Sequence, residues 1–446
     1  MNTIHYVPNI VLTICRKANS ALTHQSLGLL ILPTVVTYSR MLARLAIGLD
    51  KQPHLIAHLV PKQTSGGDDG GSRETLPERA ANILRQAFVT CLNDRSGPSP
   101  NGVNRDGRPE GKKRGIYTIA NLCLKILFAC SKTRGAAQIF ENIYNQSPPL
   151  NAFPKSERVT YLYYLGRFLW ANSHFYRAAL VLQKAFEECH LQCLKQRRLI
   201  LIHLVSANLA CGRFPSRELM SRPEARGLTE RFEPLCRAIS RGDLVRFRIL
   251  LNPGSPEHAW FAFHRVDLQL RNRCEVYVWR SLVRRCFMIC GDPGNPEQRK
   301  APTLDLNALV ALWRMQEIKY LEATNQKQAY IDPDFEGIEG LDTTSEQALG
   351  ITDMVGVVSK MSSLISQDFL NGYLSMKMQK FAIQGARQKG ALVGGFPNIW
   401  RTIQAKSENE VPGWKQEARP SSGISRPAFG PGSVINLSGA KPVGMA

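Results

Sequence analysis

The sequence predicts an all-α fold, a superhelix of stacked helical hairpins closed at its C-terminal end by a winged helix. Three observations carry this expectation. Leu162, Leu165, Gly166, Leu169, Ala178, Leu182 and Ala185 alternate large and small residues at helical spacing, with a break between Asn172 and Phe175, so two helices can cross closely. Residues 199–209 are almost unbroken apolar, and such a helix must be covered on most sides. Strand-like alternation is confined to residues 373–383, directly after a helix.

In chain order, residues 1–37 lack the charged, apolar and cleavage regions of a secretory signal in their usual order and are expected to be poorly ordered. Within them residues 27–36 are apolar but short, and Pro33 interrupts them, so no membrane span is expected. Met41, Leu42, Leu45, Ile47, Leu49, Leu55, Ile56 and Leu59 read as two short helices broken at Pro53. After a Gly- and Ser-rich loop over 61–77, Leu84, Ala87, Phe88 and Leu92 restore a helical stripe. Residues 95–115 carry almost no apolar side chain and are expected to be a flexible basic insertion.

Ala136, Phe140, Ile143 and Pro148 repeat the hairpin logic that Ala178, Leu182, Ala185 and His190 follow later, a tetratricopeptide-like tandem. Farther on, Gly242 and Asp243 end one helix and cap the next. Residues 268–290 form a long helix with Val276, Trp279, Val283, Phe287 and Cys290 as its apolar stripe. Its separate face of Arg273, Tyr277, Arg280 and Arg284 is either a surface for phosphate or acidic peptide, or a solvated or internally paired arginine face. Residues 304–322 form another helix, and an acidic stretch without Lys or Arg follows over 328–359, its carboxylates at the wrong spacing for a calcium loop. Thr352 is placed to cap a helix striped by Met354, Val357, Val358, Met361, Leu364 and Ile365, after which 373–376 and 380–383 pair as a hairpin.

The formal charge of +21 over 446 residues predicts attraction to a polyanion or an acidic protein. Eleven cysteines, mostly inside apolar helical stripes, read as core thiols in a reducing compartment, and no paired set closes a zinc shell. His203, on the apolar 199–209 helix, reads as a core histidine. No phosphate-binding glycine loop, metalloprotease helix or nucleophile elbow is present, so a non-catalytic protein without cofactor or metal is expected.

The runs YLYYLGRF, FYRAALVLQKAF, QRRLILIHL and ANLACGRFP resemble the PCI-domain proteins, and within them the branch shared by the small PCI subunit of the nuclear mRNA export complex (the second TREX complex) and its signalosome-associated paralogue. The resemblance covers roughly residues 38–403 and is most specific in the middle. It implies a helical repeat body over 38–300, a winged-helix half over 301–403 and, by composition, a disordered tail over 404–446. LISQDFLNGYL looks like the family's helix-to-wing junction, with Asp368 where glycine is usual, and aspartate tolerates left-handed geometry at a cost.

The resemblance further implies a nuclear location at the pore, a large GANP-type PCI scaffold and a small acidic Dss-type protein as partners, and the winged helix as the association surface. Phe369, Leu370 and Tyr373 are its candidate exposed apolar residues, with packing of the wing on its own helix as the alternative. Lys360 on the presumed recognition helix, Lys377 and Lys380 at the wing tip, and Arg387 and Lys389 beyond it form one basic face for RNA or DNA. Arg273, Arg280 and Arg284 form a second. No base-reading pattern accompanies them, so binding is expected to be sequence-independent and salt-sensitive. The competing reading is a structural PCI subunit of a signalosome or splicing-associated assembly whose basic residues serve solubility and protein contacts.

Overall fold

The computed structural model describes residues 3–56, 75–95, 97, 102–295, 300–326, 328, 345–346 and 348–416. The chain opens with α1 (Thr3–Leu22), α2 (Gly28–Asp50) and the single turn α3 (Pro53–Ile56). The expected poorly ordered start is instead helical, because Leu12, Cys15, Leu22, Leu32 and Val35 supply a buried stripe against the helices that follow. Pro33 lies inside α2 without ending it, since burial on both sides of the proline keeps the helix continuous. The first of the two segments read from the sequence is thus the C-terminal part of a 23-residue helix, and the second is the turn α3, which begins at Pro53 where the break was expected. By length and composition α2 is long and apolar enough to cross a membrane; here Leu42, Ala43, Ala46 and Leu49 bury one of its faces.

The repeat body continues through α4 (Leu76–Leu92), α5 (Ile116–Ala129), α6 (Ala136–Gln146), α7 (Lys155–Ala171), α8 (Phe175–Glu188) and α9 (Leu194–Ala210). Gly166 lets α7 approach α8: a Cβ there would lie 2.5 Å from Leu182 Cγ. Residues 200–207 of α9 are buried without exception, so the helix is enclosed as its composition required. At its basic start Arg197 is also buried, paired with Glu224 at 2.9 Å and donating to the Phe186 and Cys189 carbonyls. Part of the basic insertion departs from expectation as well. Residues 111–115 form a 3-10 turn in which Lys112 is buried, its Nζ donating to the His24 carbonyl at 2.9 Å and its backbone N–H to Asp94 at 2.8 Å.

Short helices α10 (Arg217–Met220), α11 (Thr229–Arg241), α12 (Leu244–Leu250) and α13 (Pro256–Phe263) lead to the long α14 (Asp267–Cys290). Gly242 takes a left-handed φ of 69° at the end of α11, and Asp243 caps α12 by accepting from the Arg246 N–H at 2.9 Å. The C-terminal half then runs β1 (Thr303–Asp305), α15 (Leu306–Thr324), α16 (Met354–Ser366), β2 (Gly372–Ser375), β3 (Lys380–Ile383), α17 (Ala386–Lys389), α18 (Ala391–Gly395) and α19 (Ile399–Lys406). The sheet is antiparallel with order β1-β3-β2, pairing Leu304 with Phe381 and Tyr373 with Ala382. With α14 and α15 packed on α16 above it, this is a winged helix. The hairpin was foreseen; β1, three residues long, was not.

Two further expectations are redrawn. Asp353, not Thr352, caps α16 by accepting from the Gly356 N–H at 2.7 Å, while Thr352 turns inward to Glu317. The tail expected to be disordered begins as a docked segment, residues 407–416, because Val411 and Trp414 give it apolar anchors. Residues 417–446, and most of the acidic stretch, lie outside the described residues.

Candidate nucleic-acid and partner interface

The winged helix sorts the predicted basic residues into two groups by what surrounds them. Lys360 sits on the inner side of α16, its ammonium 4.9 Å from the Trp313 ring centre and 5.7 Å from that of Trp279. It bonds the Thr352 hydroxyl and lies 3.5 Å from Glu317, whose carboxylate also accepts from the Thr352 N–H at 2.5 Å and hydroxyl at 2.7 Å. Burial lowers the lysine pKa and Glu317 opposes that shift. Lys360 is thus a structural cation joining α14, α15 and α16. The solvent face of the presumed recognition helix presents Asp353, Val355, Ser359, Ser362 and Ser366, with no cation among them.

The second basic face is also largely internal. Tyr277 is buried and its hydroxyl donates to the Ala210 carbonyl at 2.5 Å. Arg280 donates to the carbonyls of Phe369, Phe396 and Pro397 at 3.1, 2.9 and 2.6 Å. Desolvation, then the neighbouring Arg284, brings its pKa down to about 10. Arg273 donates to Gln367 at 3.1 Å and stacks over Tyr277 and Phe369. An arginine face that sequence spacing left open between phosphate binding and internal pairing is, for Arg273 and Arg280, the internal one. Arg284 lines a cavity of about 400 Å³ with Arg241, Arg280 and Arg285, between the α11 end and α14.

Lys377, Lys380, Arg387 and Lys389 remain exposed on the wing and the turn after it. Beside them Tyr373, Met376 and Met378 are more than half exposed. The two methionines escaped the sequence reading although the pattern MKMQK, alternating thioether and cation in a turn, was legible.

Phe369 and Leu370 do not join this surface. Asp368 adopts a left-handed φ of 58°, which turns the chain so that the Phe369 N–H bonds the Leu364 carbonyl at 2.9 Å and both apolar side chains fold inward. Phe369 is 2% and Leu370 1% exposed, and the Phe369 ring meets Tyr277 edge-on at 5.6 Å. The expectation of an exposed partner surface therefore holds its geometry only at Tyr373, 53% exposed. Among the described residues no group of three or more His, Cys, Asp or Glu side chains is placed to share a metal. His203 lies in the core, and desolvation, then Arg167 and His264, holds its pKa well below the ordinary value.

No family model matches the chain. It is similar to a PCI domain-containing protein of Schizosaccharomyces pombe, 30% identical over 252 residues, covering 56% of this chain and 52% of that protein. It is also similar to a CSN12 homolog of Neurospora crassa, 30% identical over 253 residues (54% and 52% of the two chains). PCI domain-containing protein 2 of Danio rerio is 28% identical over 210 residues, 47% and 48%. The chain spans about half the length of the curated relatives it matches. These likenesses, with a helical repeat body ending in a winged helix, support a PCI-domain protein.

Proposed function

We propose that the protein is a non-catalytic scaffold subunit of a nuclear mRNA export assembly that holds nucleic acid on the wing of its winged helix. In this reading a large GANP-type PCI protein and a small acidic Dss-type protein are its partners, at the nuclear pore. The observation that carries the nucleic-acid part is the cluster of Lys377, Lys380, Arg387 and Lys389, exposed together on the wing and the turn after it, while Lys360, Arg273 and Arg280 are drawn inside. Four ammonium and guanidinium groups on a protruding turn suit a phosphate backbone, and the cation-free face of α16 argues against a helix seated in a groove. RNA and DNA are both accommodated by such contacts.

The test is anisotropy of a labelled single-stranded RNA between about 50 and 200 mM salt, where each lost phosphate contact flattens the log–log slope by about 0.7. Changing all four residues to alanine should flatten it by up to about 3 units with helix content intact. An unchanged slope would place nucleic acid elsewhere or nowhere. The second reading, a structural subunit that binds no nucleic acid, is favoured by the CSN12 names of several relatives and by the internal use of Lys360, Arg273 and Arg280. Under it, RNA fails to bind the wild-type protein at low salt.

A further inference from the structure

We propose that the face of the superhelix formed by α6, α7 and α8 is a binding site for a linear peptide, held in this structure by the chain's own residues 407–416. The occupant is recognised through four contacts in sequence order. Glu408 receives Arg177 at 2.6 Å, Asn409 accepts from the Tyr176 hydroxyl at 2.9 Å, and Glu410 accepts from the Tyr144 hydroxyl at 2.5 Å. The Gly413 carbonyl then accepts from the Tyr161 hydroxyl at 2.6 Å. Between these polar contacts Val411 is fully buried.

The segment has the conformation of a recognised peptide. Val411-Pro412-Gly413-Trp414 closes a turn in which the Trp414 N–H bonds the Val411 carbonyl at 3.0 Å, with proline at the second position and glycine at the third. Gly413 has φ +94°, and a Cβ there would stand 3.0 Å from Leu165 Cδ1, so the groove admits backbone where a side chain would not fit. Tyr161 is fully buried, and its hydroxyl has its acceptor only in the docked segment. With the segment gone, the floor of the groove presents a donor aimed at an absent carbonyl, which is a reason for some peptide to be there.

The ionic part of the hold is weak. Glu408 and Glu410 are exposed, and surface pairs of this kind contribute little. Val411, Trp414 and the Tyr161 bond to Gly413 seat the segment, and its attachment to α19, whose Trp400 packs against Tyr176, holds it near the groove. A tethered occupant acts at an effective concentration on the order of millimolar, so a free competitor must exceed that to enter. A partner segment reproducing the carboxylate, Val-Pro-Gly and aromatic order could enter once the tethered copy is loosened.

The experiment uses the full chain and a fluorescent peptide of residues 407–416. Val411→Asp should drive the tethered copy out, and the peptide should then bind at least tenfold more tightly than to wild type. Adding Tyr161→Phe to that variant should weaken binding several-fold while leaving helix content unchanged. Should Val411→Asp lose helix content, Glu410→Ala with Trp414→Ala opens the same groove without a buried charge. Equal binding to wild type and opened variant, or none to either with the fold intact, overturns the proposal. So does hydrogen exchange at 408–414 as fast in wild type as in the opened variant.

Discussion

At the scale of single residues, environment overrules residue type. Arg280 and Lys380 are both cations on amphipathic segments, yet one faces three carbonyls and the other solvent. Arg280→Met should therefore cost about 2–4 kcal/mol of stability, the penalty for orphaning acceptors, and leave the RNA salt slope unchanged. Lys380→Ala should do the reverse, with stability within about 0.5 kcal/mol. Denaturant midpoints and salt titrations on the two variants check the pair. This distinction was not legible in the sequence, because the carbonyls that claim Arg280 come from residues 89 to 117 positions away. His203 was legible, since an apolar helix leaves it no solvent. Its folded pKa is depressed, so below about 6.5 the unfolded chain takes up a proton that the folded chain refuses, and stability falls with pH. His203→Leu should narrow the difference between urea midpoints at neutral and mildly acidic pH; His264, also depressed, keeps part of it.

At the scale of elements, packing decides what periodicity only suggests. Small-to-large spacing identified α7 and α8, and at Gly166 they approach so closely that a Cβ would meet Leu182. Gly166→Val should cost about 1–3 kcal/mol by overpacking against Leu182, visible as a lower melting temperature. Leu201→Asp should unfold the body by burying an unpaired charge in α9. A soluble variant with full helix content would show that α9 is less enclosed than described. The hairpin of β2 and β3 was readable because alternation and a polar turn coincide over 373–383. β1 was not, since Thr-Leu-Asp is too short to carry a period and becomes a strand only through Phe381 and Ala382. The N-terminal helices were missed for a related reason: Pro33 suggested a break that tertiary burial overrides.

At the scale of the whole molecule, cations are divided between holding the fold and meeting solvent. Arg197 and Glu224 form a buried pair in the repeat body, and in the winged helix the buried Glu317 pairs with the partly buried Lys360. Removing one partner strands the other, so Glu317→Leu should destabilise by roughly 3–5 kcal/mol. Exchanging both members, Glu317→Leu with Lys360→Met, should recover much of that loss in the same urea titration. The charge of +21 thus overstates the positive surface available to a polyanion. On the winged helix four exposed cations gather at the wing and the turn after it, while Lys319 and Arg401 stand exposed apart from them.

The strand order β1-β3-β2 has a consequence for how the protein is made. The middle strand is the last of the three to be synthesised, so β1 and β2 lack their shared sheet neighbour until Lys380–Ile383 has left the ribosome, and until then only Thr303, bridged to Asp292, has a ladder partner. At about 5–20 residues per second, Leu304 and the apolar sides of α15 and α16 wait for several seconds without the sheet they cover. During that interval the nascent chain offers a chaperone an apolar surface that the finished protein hides.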